Sequence, residues 1–195
     1  MRVILFTMMF FVCSCSKKSD DQIVNQISNQ PVQIVPLKAG NVWTYRLSDY
    51  DSLGTVDSAS SFNFDIEILR DTTIQNEKWF ILKDDPTVRT NRTDGYYVWN
   101  ISIDSMVPTL MAKYPAQVGD KFATYSVAST NVQVTTLIGT FTCFLYVSPS
   151  STDGSRFEEY YSPGIGWIRR DYYTRFSGGI LFMRTRWQLT GYTLK

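Results

Sequence analysis

The chain contains no histidine and only three cysteines among 195 residues. Without histidine the commonest general base is missing. With it go the Ser-His-Asp triad, Cys-His catalysis and most zinc sites. Cys13 and Cys15 lie close together near the start, so Cys143 is the one thiol left to the body of the chain, which therefore holds no internal disulfide. Charge excess is lacking too. Lys and Arg number 19 against 18 Asp and Glu, and Arg2 belongs to the first fourteen residues, so the remainder carries no formal net charge. A nucleic-acid partner, which draws on a basic surplus, is not expected. Ala, Leu and Lys are sparse while aromatics reach 15%, a balance that favours strands over helices.

Long apolar runs are also scarce, and the one present is informative. Val3–Val12 is apolar apart from Thr7 and follows Met1-Arg2. It is too short to cross a bilayer, which takes about 20 apolar residues, and suits the core of a signal peptide. It leads into Val12-Cys13-Ser14-Cys15, with an aliphatic residue three before Cys15 and a small one directly before it. This is the pattern of a bacterial lipoprotein leader, in which the cysteine sulfur carries diacylglycerol. Cys13 would place bulky Val12 at the cleavage position, so Cys15 is the expected lipidation site. The reading divides the chain into a leader (1–14), a lipidated polar linker (15–35) and a folded domain (36–195). The membrane is then a partner through the N-terminal lipid, and acyl chains contribute about 0.8 kcal/mol per buried CH₂. The acidic tract in Ser16-Lys17-Lys18-Ser19-Asp20-Asp21 resembles the surface-export signal of Bacteroidota lipoproteins, which implies the outer membrane and its outer face.

From Val42 onward the hydrophobic period is two. Phe62, Phe64, Ile66 and Ile68 alternate with Asn63, Asp65 and Glu67, the signature of a half-buried antiparallel strand. Val132, Val134, Thr136 and Ile138 run into Gly139-Thr140 and then Phe141, Cys143, Leu145 and Val147, which predicts a hairpin. Further strands are expected at 42–47, 78–83, 96–101, 122–127, 156–161, 167–173 and 181–189, about ten in all, separated by turns such as Asp94-Gly95 and Pro163-Gly164. Leu110–Lys113, bracketed by prolines, is expected to form a helical turn. Short connections make the sheet antiparallel. The predicted fold is a single all-β domain built on a strongly curled sheet, a barrel or half-barrel, with a β-sandwich as the alternative.

Few residues advertise chemistry. Glu158 and Glu159 are adjacent on a strand and point to opposite faces, so they cannot flank one glycosidic bond, and solvated faces are the expected place for both. Cys143 faces the core with no histidine to activate it. Asp49-Tyr50-Asp51 lacks the glycine and terminal glutamate of a calcium loop. No metal, cofactor or catalytic residue is predicted. Arg170, Arg184 and Arg186, with Tyr172, form a candidate surface patch for an envelope protein or an acidic glycan. Asp51-Ser52-Leu53, Asp57-Ser58-Ala59, Asp71-Thr72-Thr73 and Asp104-Ser105-Met106 resemble the Bacteroidota O-glycosylation motif, which marks Ser52, Ser58, Thr72 and Ser105, three of them in expected loops.

Four segments in order carry a family resemblance. They are Pro36–Tyr45 (PLKAGNVWTY), Tyr114–Asp120 (YPAQVGD), Gly139–Cys143 (GTFTC) and Tyr160–Arg170 (YYSPGIGWIRR). Together they resemble the TapB-like β-domain family of Bacteroidota lipoproteins across most of residues 36–190. Ile165 and Ile168 stand where valine is usual, and Trp167 where a smaller aliphatic residue often sits. The resemblance implies a lipid-anchored β-domain and brings no catalytic residues. Three functions follow from the sequence: a non-enzymatic module that binds a protein or glycan at the envelope, a carrier holding a lipid or other apolar ligand in its curled sheet, and a hydrolase. The first is preferred, and the absence of histidine weighs against the third.

Overall fold

The computed structural model describes residues 32–100, 107–149, 154–175 and 179–195. Cys15 and Ser105 lie outside the described residues. In chain order the strands are β1 (Val42–Tyr50), β2 (Val56–Ile74), β3 (Glu77–Leu82), β4 (Thr87–Arg92), β5 (Gly95–Asn100), β6 (Thr109–Lys113), β7 (Lys121–Phe122), β8 (Tyr125–Thr136), β9 (Gly139–Pro149), β10 (Arg156–Ser162), β11 (Gly166–Arg175) and β12 (Leu181–Thr193). They form one antiparallel sheet in the order β6-β5-β4-β3-β2-β1-β12-β11-β10-β9-β8-β7. Two six-strand meanders are thus joined by their terminal strands, β1 lying against β12 from Val42↔Thr193 to Asp49↔Thr185.

The sheet curls until its two ends meet. The Tyr146 hydroxyl on β9 donates to the Lys113 carbonyl on β6 at 2.7 Å, and Phe144 meets Tyr114 edge-on at 5.4 Å. Lys113 Nζ reaches Asp120, just before β7, at 3.0 Å. The result is a nearly closed barrel, the curled architecture expected from the sequence, with no helix among the described residues. Leu110–Lys113 is a strand rather than a helical turn, because β5 presents Tyr96 and Tyr97 as ladder partners for Ala112 and Leu110. Strand β4 (TVRTNR) was not expected: its residues are polar and its period weak, and it exists because β5 pairs with it along its whole length.

Inside the barrel the apolar faces of β1, β2, β9 and β10 supply Trp43, Tyr45, Ile68, Tyr146 and Tyr161, all buried. The segment just ahead of β1 closes on them. Gln33 O accepts from Gly164 N, Val35 O from Asn91 Nδ2 and Pro36 O from Asn41 Nδ2, at 2.7–2.8 Å. Ile34 and Val35, which polar surroundings place in the linker, are buried in this strap. Gly166 has φ +101°, a backbone conformation that L side chains rarely adopt, so glycine is favoured where the strap packs on it.

The buried apolar cluster extends into the β8–β9 hairpin. The outer part of the β8–β9 hairpin brings in Val134 and Cys143, both buried, and Gln188 on β12 donates to the Thr135 carbonyl at 3.4 Å. Cys143 is fully buried, and burial pushes its thiol up to about 12, which suits a packing residue and not a nucleophile.

Candidate functional site

Strands β1 to β6 and β10 to β12 surround a chamber of about 310 Å³. Its wall is mostly apolar: Trp43, Trp167 and Trp187, with Ile66, Ile68, Leu82, Val98 and Met111, and Val35 and Leu37 from the strap. The aromatic part is continuous. Tyr45 lies 5.4 Å from Trp167, and Trp167 lies 5.3 Å from Trp187. Trp43 is fixed by donating Nε1–H to the Ile165 carbonyl at 2.7 Å, and Tyr45 by donating to the Trp167 carbonyl at 2.8 Å. Burial, and then the neighbouring Tyr96, hold the Tyr45 phenol well above its ordinary range, so it stays neutral.

A bulge sets the polar part of the wall. Tyr160 pairs with Arg169 and Tyr161 with Trp167, leaving Ile168 as an extra residue on β11. Without it, Trp167 and Arg170 would point to opposite faces; with it, both turn into the chamber. Arg170 stands opposite Glu159 and Trp187 in the ladders. Its Nε lies 3.2 Å from Glu159 Oε1, and its guanidinium sits 4.3 Å above the Phe157 ring. Glu159 also accepts from the Tyr125 and Tyr161 hydroxyls, at 2.9 and 3.3 Å. It is 2% exposed, and burial raises its pKa against the opposing pull of Arg170 and the two tyrosines. The expectation that Glu159 is a solvated strand residue is thus corrected. The interior is wide enough to enclose it, and Tyr125, Tyr161 and Arg170 provide the partners a buried carboxylate needs. A second charged pair lies on the same wall: Asp85 Oδ2 accepts from Arg89 Nη2 at 2.7 Å, while Asp85 Oδ1 caps the Thr87 amide at 2.8 Å.

Arg170 and Trp187 also belong to an adjoining, more open hollow of about 370 Å³ that includes Leu47, Asp49, Phe157 and Tyr172. The two spaces share these residues as a common wall. Among the described residues, three buried N–H groups on chamber-lining side chains have no hydrogen-bond partner: Arg89 Nε, Trp167 Nε1 and Arg170 Nε. The Arg170 contact with Glu159 is close enough for Coulomb attraction, but its Nε–H is not aligned on the carboxylate.

The sequence-predicted patch is divided by the sheet. Arg170 and Tyr172 line the interior spaces, and Tyr172 stacks on Phe157 at 4.7 Å. Arg186 pairs in register with Asp171, next to Trp187 and so on the opposite face. It donates to Asp171 through Nε at 2.8 Å and Nη2 at 3.0 Å, and Arg169 approaches the same carboxylate at 3.2 Å. Arg184 is exposed. Ser52 occupies the exposed turn after β1, whereas Ser58 and Thr72 lie within β2, which runs farther than the alternating pattern indicates and removes them from loops. Glu158 and Glu159 do take opposite faces, Glu158 turning to Arg156 at 2.8 Å. Sequence reasoning named Arg170 but set it on a surface, took Glu159 as solvated, and missed Asp85 and Arg89. Arg89 and Asp85 lie in and beside the unrecognised β4, and no pattern reveals the bulge at Ile168.

No protein-family model matches this chain, and no curated protein sequence does. Among solved structures, a candidate exported protein with YmcC-like fold from Bacteroides fragilis NCTC 9343 is similar, with a TM-score of 0.54 at 14% identity over 84% of this chain and 100% of that one. A candidate lipoprotein from Parabacteroides distasonis ATCC 8503 gives a TM-score of 0.46 at 14% identity, covering 83% of this chain and 99% of that one. The first likeness establishes a shared fold.

Proposed function

We propose that this chain is a lipid-anchored protein of the cell envelope, of the TapB-like type, whose β-domain holds a small apolar molecule inside the barrel without transforming it. The chamber carries this reading. Its volume, about 310 Å³, lies at the lower end of the range for small-molecule sites, and its wall has the usual make-up of such sites: many aromatic and aliphatic side chains around a few polar ones. The surface-patch reading loses its main support, since Arg170 and Tyr172 turn inward and Arg186 is held by Asp171. Both carboxylates on the chamber wall are engaged, Asp85 by Thr87 and Arg89 and Glu159 by Arg170 and two tyrosines, which favours binding over hydrolysis.

Two experiments test the parts separately. For the address, cells grown with radiolabelled palmitate are expected to label the wild-type chain and not Cys15→Ser; a labelled Cys15→Ser chain would refute that anchor. For the chamber, decanol added to the mature chain carrying Cys15→Ser is expected to shift and change the tryptophan emission saturably, because Trp43, Trp167 and Trp187 all line the space. An emission unmoved up to the solubility limit of decanol would remove the binding reading.

A further inference from the structure

The three unpartnered N–H groups on the chamber wall are all donors. Arg89 Nε, Trp167 Nε1 and Arg170 Nε are each out of contact with solvent and make no hydrogen bond, Arg170 Nε lying 3.2 Å from Glu159 Oε1 without being aligned on it. A buried donor without a partner carries a desolvation cost that a native structure ordinarily relieves. Three acceptors near them already take other donors. Glu159 already takes Tyr125 and Tyr161, the Ile165 carbonyl takes Trp43, and the Trp167 carbonyl takes Tyr45. A purely hydrocarbon ligand would fill the aliphatic part of the space and leave these donors as they are. A ligand with acceptor oxygens would satisfy them.

The charge on the wall points the same way. Two guanidinium groups face the chamber, and burial raises the pKa of Glu159, the carboxylate beside Arg170. Arg170 lies beside Glu159 and among the ring faces of Phe157, Trp167 and Trp187. Arg170 stands where the chamber meets the more open hollow. An acidic head there would lie at the polar end of the site, with its apolar body among Trp43, Ile66, Ile68 and Met111.

We infer that the ligand is an acidic amphiphile, its anionic head received by Arg170 and Trp167 Nε1–H and its hydrocarbon body by the aliphatic wall. This inference rests on the chamber reading above and adds the chemistry of the head. It is tested by tryptophan-fluorescence titration of the mature Cys15→Ser chain with decanoate, decanol and decyltrimethylammonium, all below their micelle concentrations. Decanoate is expected to bind about tenfold or more tightly than decanol, the scale of one charge-assisted hydrogen bond, and the cation least. Arg170→Met is expected to remove the preference for decanoate over decanol. Glu159→Gln, which takes away the internal rival for Arg170, is expected to strengthen decanoate binding.

Phosphatidylglycerol and phosphatidylcholine vesicles distinguish the source of the head. A preference for decanoate with no response to vesicles identifies a free acid, and the same preference with a response to phosphatidylglycerol but not phosphatidylcholine vesicles identifies a bilayer lipid; either supports the acidic head. Equal affinities for decanoate and decanol would overturn the inference and leave the chamber reading intact, whereas no response to any probe would overturn both. If Arg170→Met does not fold, the comparison of the three decyl probes on the unaltered domain decides alone.

Discussion

Replacing Asp171 by alanine is expected to lower the stability of the domain by about 3–5 kcal/mol, the range for removing one partner of a buried ion pair. Asp171 is fully buried, and its carboxylate serves two cations: Arg186, through two hydrogen bonds, and Arg169 at 3.2 Å. Alanine leaves both guanidinium groups largely enclosed with no counter-charge. Arg169 would still have the Tyr160 ring, 4.0 Å from its guanidinium carbon, but a ring face does not replace a carboxylate. Asp171→Asn keeps the shape and some of the hydrogen bonding, so its loss should be the smaller of the two. Urea unfolding followed by circular dichroism measures both, and a loss below about 1 kcal/mol for Asp171→Ala would place this cluster among surface ion pairs of little energetic weight. Because Asp171 lies on the face opposite Arg170, decanol binding should survive in whatever fraction remains folded.

Trp43→Ala is the second large effect. The indole is 4% exposed, packs where strap, chamber and β11 meet, and donates to the Ile165 carbonyl at 2.7 Å. Truncating a buried tryptophan to alanine costs about 3–5 kcal/mol through lost transfer energy and the cavity left behind. Trp43→Phe separates the two contributions. It keeps most of the ring volume but leaves the Ile165 carbonyl without its donor, an expected loss of about 1–3 kcal/mol. If Trp43→Phe costs as much as Trp43→Ala, the hydrogen bond outweighs the packing, contrary to the burial argument.

The regular parts of this fold were legible from alternation alone. Phe62 to Ile68 and the hairpin about Gly139 announce their strands because one face is apolar and the other is not, and turn residues mark their ends. Strand number pointed to a barrel or a sandwich, and short connections to antiparallel pairing. What escaped notice has a common cause: it depends on neighbours in space. Strand β4 has no period of its own and is made by β5. Leu110–Lys113 is short enough to be read either way until Tyr96 and Tyr97 are seen beside it. The bulge at Ile168 leaves the local pattern unchanged yet reverses the facing of the β11 residues after it, which is why Arg170 looked like a companion of Arg186 on one surface. Glu159 looked solvated for the same reason, since nothing in the run Glu158-Glu159-Tyr160-Tyr161 tells which carboxylate turns inward.

The central claim is that the barrel interior is a binding site, and the most direct test is a crystal structure of the domain with a brominated decanol. An anomalous bromine peak inside the chamber bounded by Trp43, Met111 and Trp167 is the predicted result. A bromine found only on the outside of the sheet, with the chamber walls closed on one another, would contradict it.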